Sequence, residues 1–270
     1  MKAIIICFFT IYFLSESTDS YAQDFDFGTE SQEALEYYHI AWQQILDLGE
    51  WTNAEESFRK SVQIDPDFLL AWSQVGRISN DPEERKFIFE MLNKKKSQLN
   101  GFQKELLETY MGSLEIIDLK DRGLPVDPSL GKAFLAKLYQ RSQNFLQEYP
   151  DATYIEAEYI EAIHSIYGAK SALDSMATRN LHDKSPFFIS YRAMLQAETN
   201  DFVEAHKTLK ILEEVFGNTQ RPALSYTKAY VDNAEGKLQE AEISLKECLK
   251  LDPKHTLAKR MLLNLYKGKI

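Results

Sequence analysis

From Ser31 onward the apolar and small positions recur with the period of a helix. Ala54, Phe58, Ser61 and Val62 stand at i, i+4, i+7 and i+8, which stacks them on one helical face. Gly49 precedes that helix, where an earlier helix must stop and the chain reverse. Asp65-Pro66 ends it, because the residue before a proline is pushed out of the helical region. The pattern predicts a unit of helix, glycine turn, helix and Asp-Pro stop. The same skeleton returns: LGEWTNAEESFRKSVQIDP at 48–66 and EGKLQEAEISLKECLKLDP at 235–253 share six of nineteen positions without a gap. The shared residues are those of turn, packing and stop: Gly49/Gly236, Ala54/Ala241, Glu55/Glu242, Ser57/Ser244, Asp65/Asp252 and Pro66/Pro253.

A further copy precedes the second, with Asn200, Phe202, Ala205, Leu209 and Leu212 in the matching places. After Pro253, HTLAKRMLLNLYKGKI reads as one more amphipathic helix, about 254–267, that covers the last open apolar face of a stack. The middle of the chain is helical by periodicity but fits the unit less well. Leu119–Gly131, with two prolines and two glycines, is predicted to be an irregular loop that interrupts the period. Tyr37, Phe58, Phe87, Phe134 and Tyr149 fall at helical packing spacing and are expected in the core.

The repeated unit resembles the tetratricopeptide repeat, a helical hairpin of roughly 34 residues. The turn is Leu48-Gly49-Glu50-Trp51; Ala54, Phe58 and Ser61 are the packing positions and Pro66 the terminal proline. Trp72, Val75 and Gly76 open the next hairpin. The resemblance covers about 31–270, most closely over 33–80 and 186–267. It implies an all-α, right-handed superhelical solenoid of about five to six stacked antiparallel helix hairpins.

It also implies a ligand face, the concave side, lined by one stripe of the first helix of each hairpin. That stripe is Glu36, His39, Gln43 and Asp47, then Leu70, Ser73, Arg77 and Asn80. In the later hairpins it is Phe187, Ser190, Met194 and Glu198, then Ala223, Tyr226, Tyr230 and Asn233. Glu36, His39, Gln43, Asp47, Ser73, Arg77, Met194, Tyr226, Tyr230 and Asn233 are therefore the candidate partner-binding residues. Their mix of aromatic, polar and charged groups suits an extended peptide or protein segment. Some members of the family grip a C-terminal carboxylate with Lys and Asn in this stripe. The first hairpins here carry His39/Gln43 and Ser73/Arg77 instead, so that clamp is not reproduced.

Composition narrows the function. With 11 Gly and 8 Pro in 270 residues the chain has few turn residues, which favours helices over an all-β fold. A formal charge of −10 argues against nucleic acid as a partner. The first 22 residues have the layout of a secretory signal peptide: a cation at Lys2, an apolar run from Ala3 to Leu14, and Ser20-Tyr21-Ala22 before the expected cleavage. The apolar run of about a dozen residues is shorter than the twenty or so a spanning helix needs. Residues 23–30 read as a short acidic linker, and no later segment is apolar enough to cross a membrane. The mature chain is thus expected in the periplasm or outside the cell. Only Cys248 would remain after cleavage, which excludes an intramolecular disulfide.

Catalytic motifs are scarce. There is no glycine-rich phosphate loop, no paired-cysteine metal motif and no Gly-x-Ser-x-Gly elbow. Glu36–His39 and Glu161–His164 are both Glu-x-x-His, the pair of motifs a di-iron bundle uses. A solenoid is expected to hold those helices several repeats apart, so no metal and no cofactor are assigned. The reading is an exported, non-enzymatic scaffold that binds a protein or peptide on its concave face. Two alternatives stay open: a glycan- or nutrient-handling component of the cell envelope, marked by clustered aromatics in one cleft, and an enzyme, marked by converging carboxylates or histidines.

Overall fold

The computed structural model describes residues 25–268; the expected signal peptide, 1–22, lies outside them. Among the described residues the chain is all helical. Ser31 caps α1 (Gln32–Gln43) by accepting from the Ala34 amide at 3.2 Å. The helix runs on as one π turn over Gln44–Leu48 and reverses at Gly49, which has φ +70°. α2 (Trp51–Ile64) returns antiparallel with Ala54, Phe58, Ser61 and Val62 all buried, as their spacing predicts. The small residues let the two helices close together: Ser61 Oγ donates to the Ala34 carbonyl at 2.7 Å.

The hairpins continue as α3 (Leu69–Ile78) with α4 (Pro82–Lys95), α5 (Gly101–Asp121) with α6 (Pro128–Glu148), and α7 (Thr153–Tyr167) with α8 (Ala169–Thr178). α9 (Pro186–Glu198) with α10 (Phe202–Phe216) and α11 (Pro222–Ala234) with α12 (Leu238–Leu251) follow, and α13 (Thr256–Lys267) packs on α12 at the end. α5 and α6 have 21 residues each, against 10 to 15 in the others. The turn between them spans 122–127, so most of the irregular stretch expected at 119–131 is absorbed into the two helices.

The main core runs from Phe25 to Leu195, with two smaller clusters under the last hairpins. Its centre is aromatic: Trp42 stacks on Tyr154 at 4.9 Å, and Tyr38 lies edge-on to Phe58 at 5.7 Å. Two sequence expectations change here. The lead-in 23–30 is more than an acidic linker, because Phe25 and Phe27 are buried against Phe145, Tyr38 and His39. Phe87 is 63% exposed rather than core. The buried stripe of α4 is Arg85, Ile88 and Leu92, and Phe87 sits about 100° round the helix from Ile88.

The stack curls until its first hairpin meets its last. Asp47 accepts from the Phe187 amide at 3.0 Å, and Glu50 pairs with Arg221. Asp252 accepts from the Thr52 amide at 2.9 Å and from its hydroxyl at 2.6 Å, while Lys254 reaches Glu55 at 2.7 Å. This clasp narrows the concave side into a partly open cavity.

Candidate functional site

The cavity inside the curl has a volume of about 440 Å³. Its aromatic and aliphatic wall comes from Trp42 and Ile45 near the end of α1, Trp51 at the start of α2, Phe187 and Met194 on α9, and Tyr226 on α11. A second space of about 210 Å³ shares Trp42, Ile45, Trp51 and Arg77 with it and extends toward Asn80 and Arg260.

The polar groups come from facing helices. Successive turns of α7 present Glu158, Glu161 and His164, an i, i+3, i+6 series along one side. Arg77 on α3 meets Glu158 at 3.2 Å and donates to Gln74 at 2.8 Å. Its guanidinium lies over the Tyr110 ring at 4.9 Å and the Trp42 ring at 5.8 Å, a cation–π arrangement that fixes its direction. Burial raises the Glu158 pKa, with Arg77 opposing the rise. His164 bridges two helices: Nδ1 is 2.8 Å from the Tyr191 hydroxyl and Nε2 is 2.8 Å from Glu198. Tyr230 on α11 also donates to Glu198. Glu161 keeps an exposed side chain on the cavity wall, with protein packed densely around it. That desolvation, with help from the Glu158 charge and against Arg77, lifts its pKa to about 7.

Four of the ten sequence-predicted residues meet at this cavity: Arg77, Met194, Tyr226 and Tyr230. Asn233 lies at an adjoining opening that shares Tyr226 and Tyr230. The others are placed elsewhere. Asp47 is buried and committed to the Phe187 amide, and Ser73 is buried with its hydroxyl donating to Leu70 at 2.6 Å. Glu36 and Gln43 are exposed, with Gln43 at a small crevice outside the cavity. The His39 ring lies against Phe27 and Tyr154, and burial lowers its pKa to about 4. The two Glu-x-x-His motifs therefore sit in different surroundings, and among the described residues no group of three or more His, Cys, Asp or Glu side chains is placed to hold a metal ion. Glu158, Glu161 and His164 fall outside the predicted stripe. Carrying the α11 stripe spacing into α7 would reach Glu161 and His164.

The groups make opposing demands on acid stability. His39 and His255 are both held neutral by burial, with pKa values near 4 against an ordinary 6.5. His255 is 2% exposed and caps α13 by accepting from the Ala258 amide at 3.2 Å, a role only the neutral ring can fill. As pH falls through that interval the unfolded chain takes up these protons first, so acid favours unfolding. Glu161 has the opposite sign. Raised from 4.5 to about 7, it is protonated in the folded protein first, which stabilises the fold as pH falls between those values. Glu161→Gln removes that term. The variant should lose stability more steeply than the parent between about pH 6.5 and pH 5 in urea titrations. Equal slopes would show that Glu161 carries an ordinary pKa.

Comparison with known proteins bears on the architecture. Residues 223–255, covering α11, α12 and the turn to His255, match the tetratricopeptide repeat family. No curated protein and no solved structure matches the chain. Among the described residues no helix is long and apolar enough to cross a membrane. The matched hairpin is one of a series built alike, with a small residue at Ala54, Ala205 and Ala241 buried at each helix crossing and a glycine or asparagine at each reversal. The chain carries a tetratricopeptide repeat within an all-α helical-repeat fold.

Proposed function

We propose that the protein is an exported, non-enzymatic scaffold that receives a segment of a partner protein in the cavity inside its curl. The repeat family supports an interaction scaffold in general terms. The observation that carries the finer reading is the convergence of Arg77, Met194, Tyr226 and Tyr230, from three separate helices, on one preformed space. Rigid helices hold these side chains before any partner arrives, which lowers the ordering cost of binding. Export rests on the leader sequence 1–22. The test is affinity capture by the mature chain from its own cell envelope, run beside a variant with Arg77, Tyr226 and Tyr230 replaced by Ala. The reading requires the variant, folded by circular dichroism, to lose the captured partner; an identical partner set sinks it.

A second reading has one observation in its favour. Trp42, Trp51, Phe187, Tyr226 and Tyr230 line one partly open space, and about 440 Å³ falls within the range of roughly 300–1,000 Å³ typical of small-molecule sites. A glycan fragment or nutrient would stack on such a wall. Binding of free oligosaccharide by the mature chain, with no protein captured, would select it.

A further inference from the structure

The cavity's charges are unevenly satisfied. Arg77 is the one Lys or Arg side chain among the described residues that line it, and its Nη1 already meets Glu158 and Gln74. His164 and Tyr230 are both engaged with Glu198. Among the described residues Glu161 has no hydrogen-bond or ion-pair partner, although its charge is felt by Tyr191 and Tyr226 on two neighbouring helices. A second group is left over. Ser190 lines the same cavity from α9, is 7% exposed, and its buried hydroxyl makes no hydrogen bond to any described residue. Such a group costs free energy unless a ligand satisfies it.

An unpaired carboxylate and an unpartnered hydroxyl amid aromatic faces are the complement of a cation on an apolar stem. Ring faces attract an ammonium group within about 6 Å, and the carboxylate supplies its counter-charge. Phe187, Met194 and Leu257 offer an apolar wall for the stem. An anionic chain end, by contrast, would face three carboxylates, Glu158, Glu161 and Glu198, against the single Arg77.

The geometry points to a lysine side chain of the partner as the occupant, its ammonium held by Glu161 and Ser190 and its methylenes packed against Phe187, Met194 and Leu257. This rests on the scaffold reading, since the lysine belongs to the partner's segment. Lysine is favoured over a free amine terminus because a cavity of about 440 Å³ admits a side chain without requiring the chain to end there.

The test uses the mature chain and four blocked pentapeptides, Gly-Gly-X-Gly-Gly, with X as lysine, Nε-acetyllysine, norleucine or arginine, titrated by calorimetry and by tryptophan emission. The lysine peptide should bind, and acetyllysine and norleucine should bind at least tenfold more weakly. Glu161→Gln keeps the shape of the side chain and should weaken lysine binding at least tenfold, while Glu36→Gln, on the outer surface, should leave it unchanged. Equal binding of lysine and acetyllysine, no binding of lysine, preference for arginine, or an unaffected Glu161→Gln variant would each overturn the inference. If the charged and neutral peptides bind alike while the Arg77/Tyr226/Tyr230 variant still loses its captured partner, the lysine assignment falls and the scaffold stands. If capture survives in that variant, the scaffold reading falls instead, whatever the peptides do.

Discussion

Gly49→Ala should destabilise the protein by about 2–4 kcal/mol, and Gly236→Ala, at the equivalent position of the duplicated stretch, by about 1–2 kcal/mol. Both glycines hold left-handed backbone, with φ of +70° and +83°, where an alanine Cβ crowds its own carbonyl. Their surroundings differ. A Cβ on Gly49 would lie 2.6 Å from the Ala223 amide nitrogen and 3.0 Å from its Cα, while one on Gly236 meets nothing within 4 Å. The neighbour at Gly49 is backbone at the start of α11 and cannot rotate away, so the overpacking cost of about 1–3 kcal/mol is added to the conformational one. Urea unfolding of the two variants reads the difference directly. Equal losses would mean that the first hairpin does not rest on α11, and the narrowed cavity would go with that contact. Gly49→Ala should also make the chain more sensitive to limited proteolysis near 47–52, since the clasp through Thr52–Asp252 and Glu50–Arg221 starts from this turn.

The same pair of stretches shows how far the sequence speaks. The shared glycine, alanine and aspartate do the same local work in both copies. Ala54 and Ala241 are fully buried at a helix crossing, and Phe58 and Leu245 fill the core beside them. Asp65 and Asp252 each turn the chain by accepting from the amide two residues on, at 3.0 and 2.8 Å, and each also takes a threonine hydroxyl. Hairpins are legible because the interactions that make them lie within one period. The clasp joins shared positions, Glu55 and Asp252, to partners that have no counterpart in the other copy, Lys254 and Thr52, and adds the Glu50–Arg221 pair. It depends on how much the stack turns over the whole chain, including the two long helices α5 and α6, and no local pattern records that sum.

The candidate site divides along the same line. The stripe rule finds Arg77, Met194, Tyr226 and Tyr230 because the hairpins that carry them keep the repeat's register. It includes Asp47 and Ser73, whose side chains are spent on holding the fold, because a stripe gives a direction and not what stands in front of it. It omits α7, where the long hairpin before it breaks the period, and so misses the carboxylates that give the cavity its sign. The narrowing by the clasp also changes the class of ligand. An open groove suits an extended peptide, whereas a walled space suits a side chain projecting from one.

The lead-in yields the second large effect: Phe27→Ala should cost about 3–4 kcal/mol. The reading of 23–30 as a solvated acidic stretch weighs Asp24, Asp26 and Glu30 and overlooks that Phe25 and Phe27 alternate with them. In an extended, non-helical segment alternate side chains face opposite sides, so two buried rings and an exposed Asp26 are compatible in one stretch. The Phe27 ring is 4% exposed, with ring centres 4.7 Å from Phe25, 5.0 Å from His39, 5.8 Å from Tyr38 and 6.2 Å from Tyr154. Truncation leaves a void among rings that belong to α1 and α7 and cannot collapse onto one another. Phe25→Ala should be of similar size, and the double variant less than additive, since the rings touch. His39 provides a second readout independent of stability. Burial holds its pKa near 4, so admitting water beside it in Phe27→Ala should raise that value toward 6.5, measurable by proton NMR of the ring. A loss under 1 kcal/mol together with an unmoved His39 titration would show that the lead-in is not part of the core. A large loss with the expected shift would instead fix the start of the folded unit at Phe25, ahead of the first helix, and a chain begun at Ser31 would carry an open aromatic face where those two rings belong.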